Sequence, residues 1–260
     1  EMAERIVPTE DPDAAKALAK ALTKKGIRIL TGAKVTELRA AQGNKQVVVT
    51  TENGEQQMID SAEILVSVGR KPNLTGLAEL DLKMDGPFVA VNNKMETSVS
   101  NIYAVGDLIG GRQLAHAASA EGLIAAANAG GLDETIDYRV VPRCVYTHPE
   151  VASVGLTEEE AVRQGYAVKV ERYDHAANGK ALALDETDGF VKLIAEEKYG
   201  EILGVVMVGP HVTEMISEAS AFMFLEGTVE ELATMIHPHP TVSETLFEAA
   251  AAWMGKGVHK

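Results

Sequence analysis

Short strand-like runs recur at residues 140–146, 167–173, 189–195 and 202–208, and helical stretches follow at about 211–226, 228–236 and 241–254. Strands in one block and helices in the next predict an α+β domain with an antiparallel sheet and helices segregated to one side. The first part of the chain reads differently. Residues 11–26 predict a helix, with Asp11 as its cap and Pro12 in its first turn, where a missing N–H costs nothing. Ala15, Leu18, Ala19 and Leu22 form its apolar stripe, Lys24 and Lys25 suit its negative end, and Gly26 stops it. Short β-like runs follow at 27–30, 34–40, 46–51, 56–59 and 63–68, with Glu52-Asn53-Gly54 as a hairpin turn. The run 64–68, ILVSV, reads as a buried strand.

Gly69-Arg70-Lys71-Pro72-Asn73 breaks this pattern and marks a domain boundary. Residues 101–105 read as a strand ending at Gly106-Asp107. Residues 113–129 are Ala-rich and helical, closed by Gly130-Gly131. The lone cysteine, Cys144, excludes a disulfide framework or a dithiol redox pair within these 260 residues, and reads as a small buried apolar residue. With 38 Asp+Glu against 24 Lys+Arg, the net charge of -14 repels nucleic acid and anionic lipid, so neither is an expected partner. No run of about 20 apolar residues is present to span a membrane. The first residues lack the order of a secretory signal.

Chemistry concentrates in Ile236-His237-Pro238-His239-Pro240-Thr241-Val242-Ser243-Glu244. Two prolines restrict the backbone around His239. Thr241 and Glu244 stand at capping-box spacing, which gives Glu244 a structural reading. Alternatively Glu244 reaches back to His239, orients one ring nitrogen and stabilises the imidazolium. His237-x-His239 is also a metal-ligand pair in form, but no third ligand stands at a usual spacing, so no metal is expected. A second cluster is Gly106-Asp107. Glycine permits close approach of a ligand, and the aspartate can accept hydrogen bonds from sugar or polyol hydroxyls or simply cap a turn. Leu114-Ala115-His116 opens the next helix, whose first N–H groups are free to meet a polar ring or a phosphate edge. No GxGxxG, P-loop or GxSxG motif occurs.

In order, GRKPN (69–73), TSVSNIYAVGD (97–107), LAHAASAEG (114–122), YTHPEVASVGLTEEEA (146–161), ANGKALALDETDGFVKL (177–193), GEILGVVMVGPHVTEMISE (200–218) and IHPHPTVSE (236–244) resemble the pyridine nucleotide–disulfide oxidoreductases. The ending resembles their lipoamide branch, the dihydrolipoamide dehydrogenases, although Pro238 departs from the alanine more usual there. The resemblance implies α/β remnants of FAD- and NAD-binding domains followed by an α+β interface (dimerisation) domain. Residues 1–72 would be the C-terminal half of the NAD-binding domain, 73–136 the FAD-contacting central segment and 137–260 the interface domain. It implies an FAD-dependent dihydrolipoamide:NAD oxidoreductase, with His239 as acid–base catalyst and Glu244 as its orienting partner. Gly106 and Asp107 would hold the ribityl chain of FAD, and Leu114, Ala115 and His116 would lie against the flavin. Glu1 would take the adenosine ribose of NAD, and Val35 and Gly69 would line that site.

A cytoplasmic homodimer follows from the same resemblance, serving a lipoyl-bearing acyltransferase of a 2-oxoacid dehydrogenase complex. The stripe Met215, Ile216, Ala219, Phe222 and Met223 is either part of the dimer contact or core. The family's redox disulfide and glycine loops are expected upstream of Glu1, which makes these residues the C-terminal part of a longer protein. Two other readings stand beside this one: a non-catalytic dimerisation module, and a sister reductase acting on another disulfide or quinone-like acceptor.

Overall fold

Helix α1 (Pro12–Lys24) forms as its sequence predicts: the Asp11 carboxylate accepts the Asp13 N–H, and Gly26 leaves the helix at a φ of +85°. Its buried face is Ala14, Ala15, Leu18 and Ala21. The computed structural model describes residues 1–41 and 44–257. They form two units, one of Glu1–Ile64 with Pro142–Lys260 and the other of Leu65–Val141.

In the first unit α1 is followed by a three-stranded antiparallel sheet of β1 (Ala33–Ala41), β2 (Asn44–Thr51) and β3 (Gln56–Ser61). The β2–β3 turn lies at the expected Glu52-Asn53-Gly54, where Gly54 takes a φ of +78°. The run 27–30 is not a strand. The run 63–68 is extended but also joins no sheet, and Leu65 and Val68 are 91% and 88% exposed rather than buried. An apolar run becomes a strand only where a neighbouring strand satisfies its N–H and C=O groups, and among the described residues neither run pairs with another strand.

In the second unit, β4 (Met84–Asp85) and β5 (Phe88–Val89) make a small hairpin around Gly86-Pro87. The strand expected at 101–105 is reduced to an isolated bridge between Tyr103 and Glu96. Thr97 explains this: its N–H and its hydroxyl both bond the Ile102 carbonyl, at 2.9 and 2.8 Å, curling the chain into a turn. Gly106–Ile109 then forms a single 3-10 turn before α2 (Ala115–Ala129).

The rest of the first unit is β6 (Arg143–Val145), β7 (Glu150–Gly155), α3 (Glu158–Arg163), β8 (Val168–Asp174), α4 (Gly179–Leu184), β9 (Phe190–Glu196), β10 (Ile202–Gly209), α5 (Val212–Phe224), α6 (Val229–Thr234) and α7 (Glu244–Trp253). The strands form one antiparallel sheet in the order β6-β7-β10-β9-β8. Every residue of β10 is buried, because both faces of the sheet are covered. Val151, Phe190, Ile194, Val206 and Val208 pack with Ala14 and Leu18 of α1 and Ala161 of α3. The alternate residues face the other way, toward α5 and α7. The helices are therefore not segregated to one side. The early helix α1 fills the face that the C-terminal helices leave open.

The α5 stripe is core apart from Phe222, which is half-buried. Met215, Ile216, Ala219 and Met223 are buried within this chain, while Phe224 and Leu225 beside them are exposed. Charge is also buried: the Lys192 ammonium lies 3.2, 2.9 and 3.1 Å from Asp11, Asp13 and Glu158. Among the described residues no helix is long and apolar enough to cross a membrane.

His175 is fully buried against Gly209, where a Cβ would come 2.3 Å from its Nε2, and among the described residues neither ring nitrogen makes a hydrogen bond of ordinary geometry. Burial pulls its pKa from 6.5 down to about 4, weakly opposed by the Val208 carbonyl and Asp174. The native state therefore binds this proton less readily than the unfolded chain does. The stability tied to the neutral ring is complete above about pH 6.5 and is lost as pH falls toward 4. Replacing His175 by leucine should flatten that part of the curve. Urea titrations at pH 7.5 and 5 should show a smaller loss in the variant than in the wild type.

Candidate active site

The loop before α7 presents the histidine pair. His239 is 77% exposed, and its Nδ1 lies 2.9 Å from Glu244 Oε1. Glu244 Oε2 accepts the Thr241 N–H at 2.8 Å. The two readings of Glu244 thus coexist, one oxygen for each. The capping box is only half formed, because the Thr241 hydroxyl donates to the Pro238 carbonyl at 2.8 Å and α7 starts at Glu244 itself. Burial raises the Glu244 pKa, but the Thr241 N–H, the His239 hydrogen bond and the charges of His239 and His237 outweigh it, and the net shift is downward. Glu244 is therefore an anion near neutral pH. It holds the Nδ1 edge of His239, and among the described residues Nε2 has no partner. An imidazole held this way can accept a proton at Nε2 and keep the resulting charge next to a carboxylate.

His237 is arranged differently. Its Nε2 lies 2.7 Å from Glu218 Oε1 and its Nδ1 lies 3.1 Å from the Met235 carbonyl. Sequence reading weighed it only as a metal ligand.

In the second unit, several of the residues expected at a cofactor come together. Asp107 pairs with Arg70, next to Gly69, at 3.1 Å, and the Arg70 guanidinium also donates to the Gln113 carbonyl at 2.9 Å, immediately before Leu114-Ala115-His116. The α2 cap position, Leu114, offers no side-chain bond, so the first N–H groups of a 15-residue helix are left without a capping side chain. Gly106 has a φ of +74°, and a Cβ there would sit 3.3 Å from that of Ala118. Its N–H donates to Glu121 Oε2 at 2.7 Å, and Tyr138 donates its hydroxyl to Glu121 Oε1 at 2.7 Å. Burial, then the Glu121 hydrogen bond and charge, push the Tyr138 pKa up, so the phenol stays a donor. Glu121 and Tyr138 were missed in the sequence; the available signal was an acidic side chain on the buried face of an Ala-rich helix.

Glu1 and Val35 lie in the first unit, Val35 on the edge strand β1 and Glu1 beside its first residue. The Glu1 carbonyl accepts the Ala33 N–H at 3.0 Å, and its carboxylate accepts the Ala3 N–H at 2.9 Å, which lowers its pKa. Val35 is exposed and precedes an irregularity in the β1–β2 register. Cys144 is half-buried, and burial pushes its thiol pKa up, which suits a packed side chain rather than a nucleophile.

Family models described as pyridine nucleotide-disulphide oxidoreductase and as the dimerisation domain of the same family match residues 1–122 and 141–250. The chain is 46% identical over 263 residues to a dihydrolipoyl dehydrogenase of Bacillus subtilis, covering 100% of this chain and 56% of that relative. It is 42% identical over 258 residues to a dihydrolipoyl dehydrogenase of Thermus scotoductus, covering 98% of this chain and 56% of the relative. Among solved structures, LpdA from Mycobacterium tuberculosis superposes with a TM-score of 0.86 at 28% identity, over 96% of this chain and 55% of that one. The HOCl-induced flavoprotein disulfide reductase RclA from Escherichia coli superposes with a TM-score of 0.87 at 26% identity, over 96% of this chain and 58% of that one. The chain spans about half the length of the curated relatives it matches.

Proposed function

The chain belongs to the pyridine nucleotide-disulphide oxidoreductase family, and on that premise we propose that it supplies the acid–base pair and the dimer interface of an FAD-dependent dihydrolipoamide:NAD oxidoreductase. The observation that supports this reading is the His239–Glu244 pair, with one ring nitrogen fixed by an ionised carboxylate and the other open. A dithiol substrate reacts as the thiolate, and an alkyl thiol, no stronger an acid than cysteine at about 8.5, is mostly protonated near neutral pH. His239 Nε2 takes the thiol proton while Glu244 stabilises the imidazolium. The thiolate would then attack one sulfur of a redox disulfide, giving a mixed disulfide and releasing the other cysteine as thiolate. The second substrate thiol, passing its proton to that thiolate, would attack the mixed disulfide, close the lipoyl ring and release the remaining cysteine sulfur as thiolate. The redox disulfide and the glycine-rich nucleotide loops belong to polypeptide outside these 260 residues, because Cys144 has no cysteine partner here. On this reading residues 1–72, 73–136 and 137–260 are parts of an NAD domain, a central segment and an interface domain.

The second unit fits FAD. Asp107 offers acceptor oxygens for ribityl hydroxyls, Gly106 allows close approach, and the uncapped start of α2 offers N–H donors beside Leu114, Ala115 and His116. Bound FAD would pass two electrons from dithiol to nicotinamide, chemistry that side chains alone do not perform. Glu1 and Val35, both in the first unit, are proposed for the NAD site. The exposed Phe224, Leu225 and Ile236 suit a buried homodimer contact next to the His239 loop. A lipoyl-bearing acyltransferase is the proposed source of substrate.

Pro238 in the histidine loop and the likeness to a flavoprotein disulfide reductase favour one alternative, a sister enzyme with another acceptor. NAD reduction by the longer protein, driven in parallel by dihydrolipoamide and by glutathione, separates the two. Rapid turnover with dihydrolipoamide alone supports the proposal; no turnover with it contradicts the proposal. The role of Glu244 has its own check. Glu244→Gln keeps an acceptor for the Thr241 N–H but loses the charge, so dihydrolipoamide turnover should fall about tenfold or more while the melting temperature stays near wild type.

A further inference from the structure

We propose that His237 and Glu218 form a positioning pair that holds the His239–Glu244 dyad in register; the inference rests on the proposed role of that dyad. The loop carrying His237 runs along the surface, yet the His237 side chain is only 3% exposed. Its Nδ1 meets a backbone carbonyl and its Nε2 meets a carboxylate. A carbonyl and a carboxylate oxygen both act as acceptors, so this setting favours a ring that carries a proton on each nitrogen. The Glu218 hydrogen bond raises the His237 pKa against the pull of burial, which agrees with the geometry. The ring also packs on Phe247, at 5.5 Å between centroids and tilted 42°.

One buried ring therefore joins α5 through Glu218, the loop through Met235, and α7 through Phe247. Phe247 stands one helical turn beyond Glu244 on the same helix. His239 follows two positions after His237 and is mostly exposed, with Glu244 as the one side chain bonded to its ring among the described residues. The loop's anchorage at His237 thus sets where His239 stands relative to Glu244 and to a substrate thiol. A misplacement of about 1 Å in a proton-transfer pair can cost on the order of 100-fold in rate.

The test uses the longer flavin-bound dimer with the variants His237→Leu, Glu218→Gln, Glu218→Leu and, as a control, His239→Gln. Glu218→Gln keeps an acceptor for Nε2, whereas Glu218→Leu removes it. The expected result is a fall in kcat for dihydrolipoamide oxidation of about tenfold or more in His237→Leu and Glu218→Leu. KM stays within about twofold, and Glu218→Gln recovers most of kcat. Unchanged kcat in both leucine variants overturns the inference. So does a loss of kcat that only parallels loss of the flavin-bound dimer, or a glutamine variant as impaired as the leucine one. If His239→Gln keeps full turnover, the reading of the dyad has failed; if it is inactive while the other variants turn over normally, only the positioning role has failed.

Discussion

Replacing His239 by glutamine in the longer protein should lower kcat for dihydrolipoamide-driven NAD reduction by about 100- to 10,000-fold, the usual worth of a positioned general base. Glutamine can keep a hydrogen bond to Glu244 Oε1, so the loop and the start of α7 remain in place. It cannot take a thiol proton near neutral pH. The substrate must then lose its proton to water, from a thiol no stronger an acid than cysteine at about 8.5. KM should change much less than kcat, because the exposed ring adds little binding surface. Steady-state kinetics with dihydrolipoamide and NAD, wild type against variant, reads both quantities.

The second large effect is on stability. Lys192→Ala should cost about 3–5 kcal/mol, the typical loss when one partner of a buried ion pair is removed. The ammonium is nearly buried in β9 and bridges the start of α1 and the start of α3. Burial lowers its pKa, but the Asp13 hydrogen bond, the Asp11 charge and the Glu158 hydrogen bond more than compensate, so it stays protonated. The three carboxylates would not suffer equally. Asp13 and Glu158 are about half exposed and can turn to water, whereas the Asp11 side chain is 2% exposed and also caps α1. Its uncompensated charge is the main penalty. Lys192→Met combined with Asp11→Asn should recover much of the loss, since no buried charge is left unpaired. Urea unfolding of the single and double variants measures both outcomes.

Local signals carried the sequence reading furthest. Helix α1 was legible because its cap, proline, stripe and terminal glycine all lie within one window, and the β2–β3 hairpin was legible from its turn residues. Four of the five strands of the large sheet lie at expected runs, and β9 and β10 stood out most, because burial on both faces makes their apolar runs nearly continuous, whereas β7 was not among those runs. Helices α3 and α4, of six residues each, went unseen, whereas the equally short α6 was read because it lies between two longer helical stretches. The run at 64–68 misled because an apolar run does not say whether a partner strand stands beside it. The covering of the sheet by α1 was out of reach: the Asp11–Lys192 contact joins positions 181 residues apart.

The same distinction runs through the candidate sites. His239 and Glu244 are 5 residues apart, within reach of a spacing argument. Glu218 and His237 are 19 apart and meet only because α5 and the loop pack together. Glu121 reaches Gly106 across 15 residues, at the start of a 3-10 turn that follows the run expected as a strand.

The central claim is that His239 moves the substrate's thiol proton. Its most direct test is rapid mixing of the oxidised His239→Gln flavoprotein, without oxygen, first with dihydrolipoamide and then, in a separate experiment, with NADH. Each reaction is followed by the flavin absorbance. Proton abstraction from a thiol is needed only with dihydrolipoamide. The predicted result is a reduction rate at least about 100-fold below wild type with dihydrolipoamide and a near wild-type rate with NADH. A wild-type rate with dihydrolipoamide, or an equal loss with both reductants, would contradict the account.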